Sequence, residues 1–166
     1  MALPITSSHL DTTRLRLSAY TGQERAHFVA LNTDEVVRAH MDGPLTTEQA
    51  HALFARFLPG APLAQDTWAI WWRQPRRWVG HIFATFTDKG LELGFMVDPT
   101  AQGLGVATEA GAAVLSELAR RGHTRVVGTV DDDHLPSIRV LEKLGFVLEA
   151  VEEDDEGPWR RYAKVL

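Results

Sequence analysis

The sequence predicts one α+β domain, a mixed sheet flanked by helices, and three observations carry that expectation. Its 166 residues fit one globular unit at roughly 100–200 residues per domain and are too few for two independent cores. Hydrophobic residues at 45% and charged residues at 23% are the proportions of an ordinary packed protein, not of a disordered or fibrous chain. Two-residue alternation and helical spacing succeed each other along the chain in the order strand, two helices, three strands, long helix, strand, short helix, two strands. Helices stacked on a seven-stranded sheet follow.

Each element has its own signal. Residues 13–20 (TRLRLSAY) alternate Leu15 and Leu17 with Arg14 and Arg16, the period of a strand with one dry face. Helices are expected over 22–32 and 46–58; in the second, Ala50, Leu53, Phe54 and Phe57 share a face, and Thr46 with Gln49 forms a capping box. Pro59, Gly60 and Pro62 punctuate the chain before two aromatic-rich strands, 67–72 and 77–87, joined as a hairpin through 73–76. Asp88-Lys89-Gly90 turns into 91–97 (LELGFMV), which puts Leu91, Leu93, Phe95 and Val97 on one face and Glu92 on the other. Residues 106–121 make the longest helix, with Ala107, Ala110, Val114 and Leu118 at helical spacing and Gly122 as its stop. A strand over 125–130, a short helix over 136–144 and a terminal hairpin of 146–152 with 159–165 complete the order.

Composition narrows function. Seventeen Lys plus Arg against 22 Asp plus Glu leave a net charge of -5, which argues against a nucleic-acid partner needing a basic surface. The chain has no cysteine, so disulfides, a thiolate nucleophile and a thiolate metal site are excluded. Residues 1–14 show no leader pattern, and no run approaches the ~18 apolar residues of a membrane span; a cytoplasmic protein without a membrane partner is expected, as a monomer or homodimer. The run Asp131-Asp132-Asp133-His134 offers ligand types, but adjacent residues at a strand end point in diverging directions, so no metal is expected. Trp68, Trp71, Trp72 and Trp78 read as sheet packing, and His27, His51 and His81 carry no functional expectation.

The segment between strand 91–97 and the long helix, Asp98-Pro-Thr-Ala-Gln-Gly-Leu-Gly-Val-Ala-Thr-Glu109, puts two glycines at a helix start. Unpaired amides and the positive end of the helix dipole hold an anion there without any lysine, and Gly103 and Gly105 let the backbone approach it closely. A plain strand-to-helix connection that uses glycine for tight turning is the other reading. A P-loop is excluded because Gly-Lys-Ser/Thr does not occur in this stretch, and a dinucleotide fingerprint lacks its third glycine, with Thr108 following instead.

Gln102-x-x-Gly105-x-Ala107 after LELGFMV resembles the acetyl-CoA signature of the GNAT superfamily of N-acetyltransferases. Glu109-Ala110 in the long helix, the run Ser137-Ile-Arg-Val-Leu-Glu-Lys-Leu-Gly-Phe146 and the opening Thr13-Arg-Leu-Arg-Leu17 are similar to the branch of ribosomal-protein N-terminal (Rim-type) acetyltransferases. The likeness runs in order along essentially the whole chain, 1–166, as one domain. It implies a mixed, mostly antiparallel sheet of seven strands with about four helices, and acetyl-CoA as co-substrate. It further implies that the backbone at Phe95, Met96 and Val97 pairs with the pantetheine arm, and that Gln102, Gly103, Leu104, Gly105, Val106, Ala107 and Thr108 hold the diphosphate. Ser137 would donate to the coenzyme A sulfur. His134 stands where the family usually places an asparagine for the cofactor, a departure in shape and in donor pattern. Lys143, four residues after Arg139 on one helix face, would meet a ligand phosphate or pair with Glu142 or solvent.

Acyl transfer to an amine requires that amine to be neutral. At pH 7 this costs about 1 kcal/mol for an α-amine and about 4.6 kcal/mol for lysine, which makes a protein N-terminus the easier nucleophile. Glu92 is the candidate base, with Gly94 expected to leave open space beside it, acting directly or through a water; a carboxylate facing solvent or an arginine is the alternative. Ser137 has the alternative of satisfying amides in its own first turn, and Glu109 reads as a first-turn acid complementing the helix dipole. Glu149, Glu152, Glu153, Asp154, Asp155 and Glu156 crowd the last hairpin, an acidic rim suited to a protein N-terminus or a small cationic amine, or a solvated hairpin tip. An acyl-CoA-binding module without turnover, a nucleotide-cofactor oxidoreductase and a longer acyl donor stay open on the sequence.

Overall fold

Two short strands open the described chain, β1 (His9–Asp11) and β2 (Leu15–Ser18). The computed structural model describes residues 9–61 and 66–166; Pro62 and residues 1–8 of the expected leaderless stretch lie outside them. In β2, Leu15 and Leu17 are fully buried between exposed Arg14 and Arg16, as alternation requires. β1 makes the sheet eight-stranded where seven strands were expected. Its three residues are too few to display a period, and only the antiparallel register Leu10↔Leu17 on β2 identifies it.

The helices keep to their signals with trimmed ends. Helix α1 (Arg25–Asn32) starts three residues late because the buried Glu24 carboxylate accepts from the Thr21 and Gly22 amides at 3.1 and 3.2 Å, holding a turn before the helix. Helix α2 (Thr47–Ala55) carries the capping box, Gln49 N–H donating to Thr46 Oγ1 at 3.1 Å and Thr46 N–H to Gln49 Oε1 at 2.9 Å. Strands β3 (Thr67–Trp72), β4 (Arg77–Thr87) and β5 (Gly90–Val97) form an antiparallel meander. Helix α3 (Val106–Arg120), strand β6 (Arg125–Asp131), helix α4 (Leu135–Lys143) and the hairpin of β7 (Val147–Asp154) with β8 (Gly157–Val165) follow.

The strand order is β1-β2-β3-β4-β5-β6-β8-β7, antiparallel throughout except for the parallel pair β5 and β6. Side chains of opposite strand parity feed two cores. Leu15, Leu17, Ile82, Leu93, Val114, Leu118, Ile138 and Leu141 form the one beneath α3 and α4. Tyr20, Phe28, Phe54, Phe57, Trp78 and Met96 form a second on the face of α1 and α2. β5 contributes Leu91 and Leu93 to the first and Met96 to the second, so its even-numbered residues, Glu92 among them, face away from α3.

Candidate active site

The site begins with a parting of strands. β5 and β6 share a single registered pair, Glu92↔Val127; beyond it β5 runs on to Val97 without a neighbour on that side, and a cavity of about 510 Å³ occupies the opening. Because the gap passes through the sheet, the cavity is lined both by Leu93 and Phe95 of one face and by Glu92 and Phe83 of the other. Ser137 and His134 from the start of α4 reach the same space. Two candidates from different strand faces, Glu92 and Ser137, thus meet in one chamber.

Glu92 is half-buried and accepts from the Thr129 hydroxyl of β6 through Oε1. The expected open space beside Gly94 is a misreading: a Cβ built there falls 2.4 Å from the Phe83 ring, so the glycine makes room for an aromatic from β4. Ser137 Oγ lies 3.4 Å from His134 Nε2, and this imidazole, not a helix amide, is its recorded partner. His134 caps α4 without a side-chain capping bond, and its ring stacks on His40 at 4.1 Å between centroids and 9° between planes. His40 Nδ1 meets Asp131 Oδ2 at 2.9 Å and Asp133 Oδ1 at 3.7 Å. The two aspartates thus face His40 from the α1–α2 connection, a neighbour invisible in their own run. Burial first, and then the adjacent His40, holds the His134 pKa below the ordinary imidazole value, against the opposing pull of Asp131 and Asp133.

At the far end of β5 lies the glycine loop expected to cradle an anion. Gly103 and Gly105 adopt φ of 75° and 79°, the left-handed region that glycine enters freely, and nothing lies within 4 Å of where a Gly103 Cβ would stand. The first intrahelical bond of α3 runs from Glu109 N–H to Gly105 O at 3.0 Å, which leaves the amides of Val106, Ala107 and Thr108 without a carbonyl of their own helix. No protein acceptor is recorded for these three or for the amides of Gly103, Leu104 and Gly105 among the described residues. The arrangement fits a diphosphate. Gln102 Nε2 donates to the Val97 carbonyl at 3.1 Å, tying the loop to the strand end whose backbone the pantetheine arm would use. Met96 turns its side chain into the aromatic core of the opposite face, so only its backbone is placed for that arm. Arg139 and Lys143 are exposed on α4 outside the cavity lining.

Glu109 does more than complement a dipole. Its carboxylate accepts from Thr12 Oγ1 at 2.6 Å, the Arg14 amide at 2.9 Å and Arg14 Nε at 2.7 Å. Burial opposes its charge, and these donors outweigh burial to lower its pKa. Thr12 and Arg14, on either side of Thr13, therefore clamp the segment between the first two strands onto α3. The acidic hairpin divides in two: Glu149 and Glu152 are paired with arginines, Glu149 with Arg125 and Arg161, Glu152 with Arg161, whereas Asp154 and Glu156 line the cavity together with Asp42. Asp42 beside Glu156 raises the Glu156 pKa, two carboxyls resisting simultaneous charge.

Sequence reasoning passed over Arg38, His40, Asp42, Lys89 and Trp159, which also line the cavity. Three of them sit in 33–45, a stretch with no period. The available signal was Asp42-Gly43-Pro44, a turn cluster. Arg38 supports that turn, donating to Gly43 O at 2.7 Å, Met41 O at 2.6 Å and Asn32 Oδ1 at 3.0 Å.

A family model described as an acetyltransferase (GNAT) domain matches residues 14–147. The uncharacterized N-acetyltransferase YnaD of Bacillus subtilis is 24% identical over 140 residues, 82% of this chain and 81% of that protein. Among solved structures, a GNAT-family acetyltransferase from Bacillus anthracis superposes with a TM-score of 0.83 at 21% identity, covering 95% of this chain and 98% of that one. The ribosomal L7/L12 alpha-N-protein acetyltransferase RimL in complex with coenzyme A superposes with a TM-score of 0.74 at 18% identity, covering 95% and 98%. An acetyltransferase from Salmonella typhimurium that modifies the N-terminal serine of ribosomal protein L7/L12 gives 0.71 at 19% identity, covering 93% and 96%.

Proposed function

The chain belongs to the GNAT acetyltransferase family, and from that premise we propose that it transfers the acetyl group of acetyl-CoA to a primary amine, with a protein N-terminus as the leading acceptor. One observation carries the reading: the slot where β5 leaves β6 opens at one end on free amides for a diphosphate and at the other on a chamber holding Glu92 and Ser137. Gln102 to Thr108 hold the diphosphate, and the backbone from Phe95 to Val97 pairs with the pantetheine arm as an added strand. His134 borders the arm where it enters the chamber, and Lys143 meets a phosphate at the outer end. Acetyl-CoA supplies the activated acyl group; the residues do the rest. Glu92 takes the proton from the bound ammonium, so that the neutral amine attacks directly, and Ser137 donates to the sulfur as negative charge grows there.

Asp42, Asp154 and Glu156 at the chamber mouth draw a positively charged acceptor. The same rim favours a small cationic amine as the second acceptor class. Thiol release from acetyl-CoA, with mass spectrometry of a panel of basic peptides and di- and polyamines, tests both. Turnover on at least one amine is expected, and coenzyme A binding with no turnover on any of them replaces the enzyme with an acyl-CoA-binding module. Neutralising Asp154 and Glu156 together is expected to raise the acceptor KM about tenfold at low ionic strength, with the effect shrinking as salt is added. An unchanged KM removes the rim from acceptor selection.

A further inference from the structure

The chamber holds a proton-carrying group that the reading above leaves unused. His134 Nε2 stands 3.4 Å from Ser137 Oγ, its ring lies parallel on His40 at 4.1 Å, and His40 is tied to Asp131 at 2.9 Å. An ionised carboxylate only accepts, so His40 Nδ1 carries the hydrogen of that bond. Two stacked imidazolium rings repel at this separation. Burial first, and then the adjacent His40, favour the neutral form of the His134 ring.

We propose that His134, acting through Ser137, carries the proton that the attacking amine loses to the departing coenzyme A sulfur, and that His40 with Asp131 are positioning residues that keep His134 stacked and neutral. This rests on the acetyl-transfer reading. The amine lone pair forms the C–N bond, which leaves nitrogen with one proton too many, and the C–S bond breaks with its electron pair on sulfur, which has one too few. His134 accepts the nitrogen's proton on one ring nitrogen and releases the Nε2 proton to Ser137 Oγ as the Ser137 hydroxyl proton passes to sulfur. One proton crosses the site, none is gained or lost, and the imidazole ends neutral as its other tautomer. Glu92 acts earlier, discharging the ammonium before attack, so the two groups do not duplicate each other.

The charged groups around His134 and the chamber it lines are His40 and Asp42 from the α1–α2 connection, Asp131 and Asp133 around the end of β6, Glu92 from β5, and Asp154 and Glu156 from the terminal hairpin. Arg38 and Lys89 complete the walls. Of these groups His40 lies against the ring itself, at 4.1 Å between centroids.

The test is kcat against pH for the wild type, His134→Asn and His40→Phe on an amine that the wild type acetylates, with coenzyme A affinity measured in parallel. Asparagine keeps hydrogen-bonding capacity at the site but carries no transferable proton. The expected result is a kcat for His134→Asn lower by about a hundredfold, coenzyme A affinity within about threefold, and loss of one ionisation from the acidic limb. His40→Phe preserves a stacked ring without its charge, and it is expected to move that limb to higher pH. Should His134→Asn fail to fold, the His40→Phe shift decides alone. Full kcat in His134→Asn, or an unmoved limb in His40→Phe, overturns the proton path while acetyl transfer stands. A wild type that does not bind coenzyme A overturns the reading of function, and this inference with it.

Discussion

His81 shows how a single side chain imposes a pH dependence on the whole fold. Its ring is 2% exposed, packed at tilted and edge-on angles among Phe28, Phe57 and Phe83 and bonded to Tyr20 Oη at 3.0 Å. Burial first, then the Arg38 cation, pushes its pKa down to about 4. Above the ordinary value of 6.5 both folded and unfolded imidazoles are neutral and no stability is lost. As pH falls from 6.5 toward 4, the unfolded chain takes up a proton that the folded one refuses, and about 3 kcal/mol is lost. Urea unfolding across that range is expected to show the decline in the wild type and a flatter profile in His81→Leu; parallel profiles contradict the assignment. At the reacting centre, Glu92→Gln is expected to lower kcat by about 10²–10⁴-fold while leaving coenzyme A affinity unchanged, read from steady-state kinetics beside a binding titration. Single residues were legible where period settles direction: Glu92 faces away from Leu91 and Leu93 because a strand alternates. The space beside Gly94 was not, since the ring that fills it belongs to β4 and reaches it only through the register Phe83↔Gly94.

Among the elements, α3 is anchored at both ends, by Glu109 to the segment before β2 and by Glu117 at its C-terminal end. Glu117 is 6% exposed and accepts from Arg120 Nε at 2.8 Å and Arg121 Nε at 2.8 Å; Arg121 goes on to Asp66 at 2.9 Å. The Arg120 contact first, then Arg121, overcomes burial and lowers the Glu117 pKa to about 2. Its contribution is complete above about 4.5 and is lost as pH falls toward 2. With the solvent around Arg120 discounted, it amounts to about 2 kcal/mol. Glu117→Gln is expected to lower stability at pH 7 and to flatten the acid limb below pH 4.5, a window distinct from that of His81; an unchanged acid limb would rule the network out.

The connection 33–45 is the element that sequence reasoning lacked. It has no apolar period, since its order comes from Arg38 reaching forward to the Met41 and Gly43 carbonyls, yet it delivers His40 and Asp42 to the chamber. Arg38→Ala is expected to reduce kcat/KM for the acceptor about tenfold through misplacement of these groups, with coenzyme A affinity intact. β1 escaped for a different reason: three residues cannot display a period, and pairing with β2 is their only signature. The start of helix α2 was legible to within one residue, Thr46 being its cap, because a capping box is a local, reciprocal pair of bonds.

For the whole molecule, a net charge of -5 and an anionic co-substrate are reconciled by position. Acidic groups gather around the chamber and on the last hairpin, while the cradle proposed at the other end of β5 offers amides and the helix dipole instead of lysines. The order of elements forecast a mixed sheet and the resemblance a mostly antiparallel one of seven strands; the sheet is mostly antiparallel with eight, in the order β1-β2-β3-β4-β5-β6-β8-β7. The parting of β5 from β6, on which the chemistry depends, is a tertiary feature with no period or motif of its own. The sequence reading touched it only through the backbone pairing of Phe95 to Val97 that the resemblance implies. Among the described residues no helix is long and apolar enough to cross a membrane. The central claim is that the amides from Gly103 to Thr108 hold the diphosphate. Equilibrium titration of acetyl-CoA into the wild type and Gly105→Val tests it directly, because valine is strained at a φ of 79° and crowds Arg14. The account predicts saturable one-site binding by the wild type and at least about a thirtyfold loss in a folded variant, roughly 2 kcal/mol; equal affinity in the two proteins would contradict it.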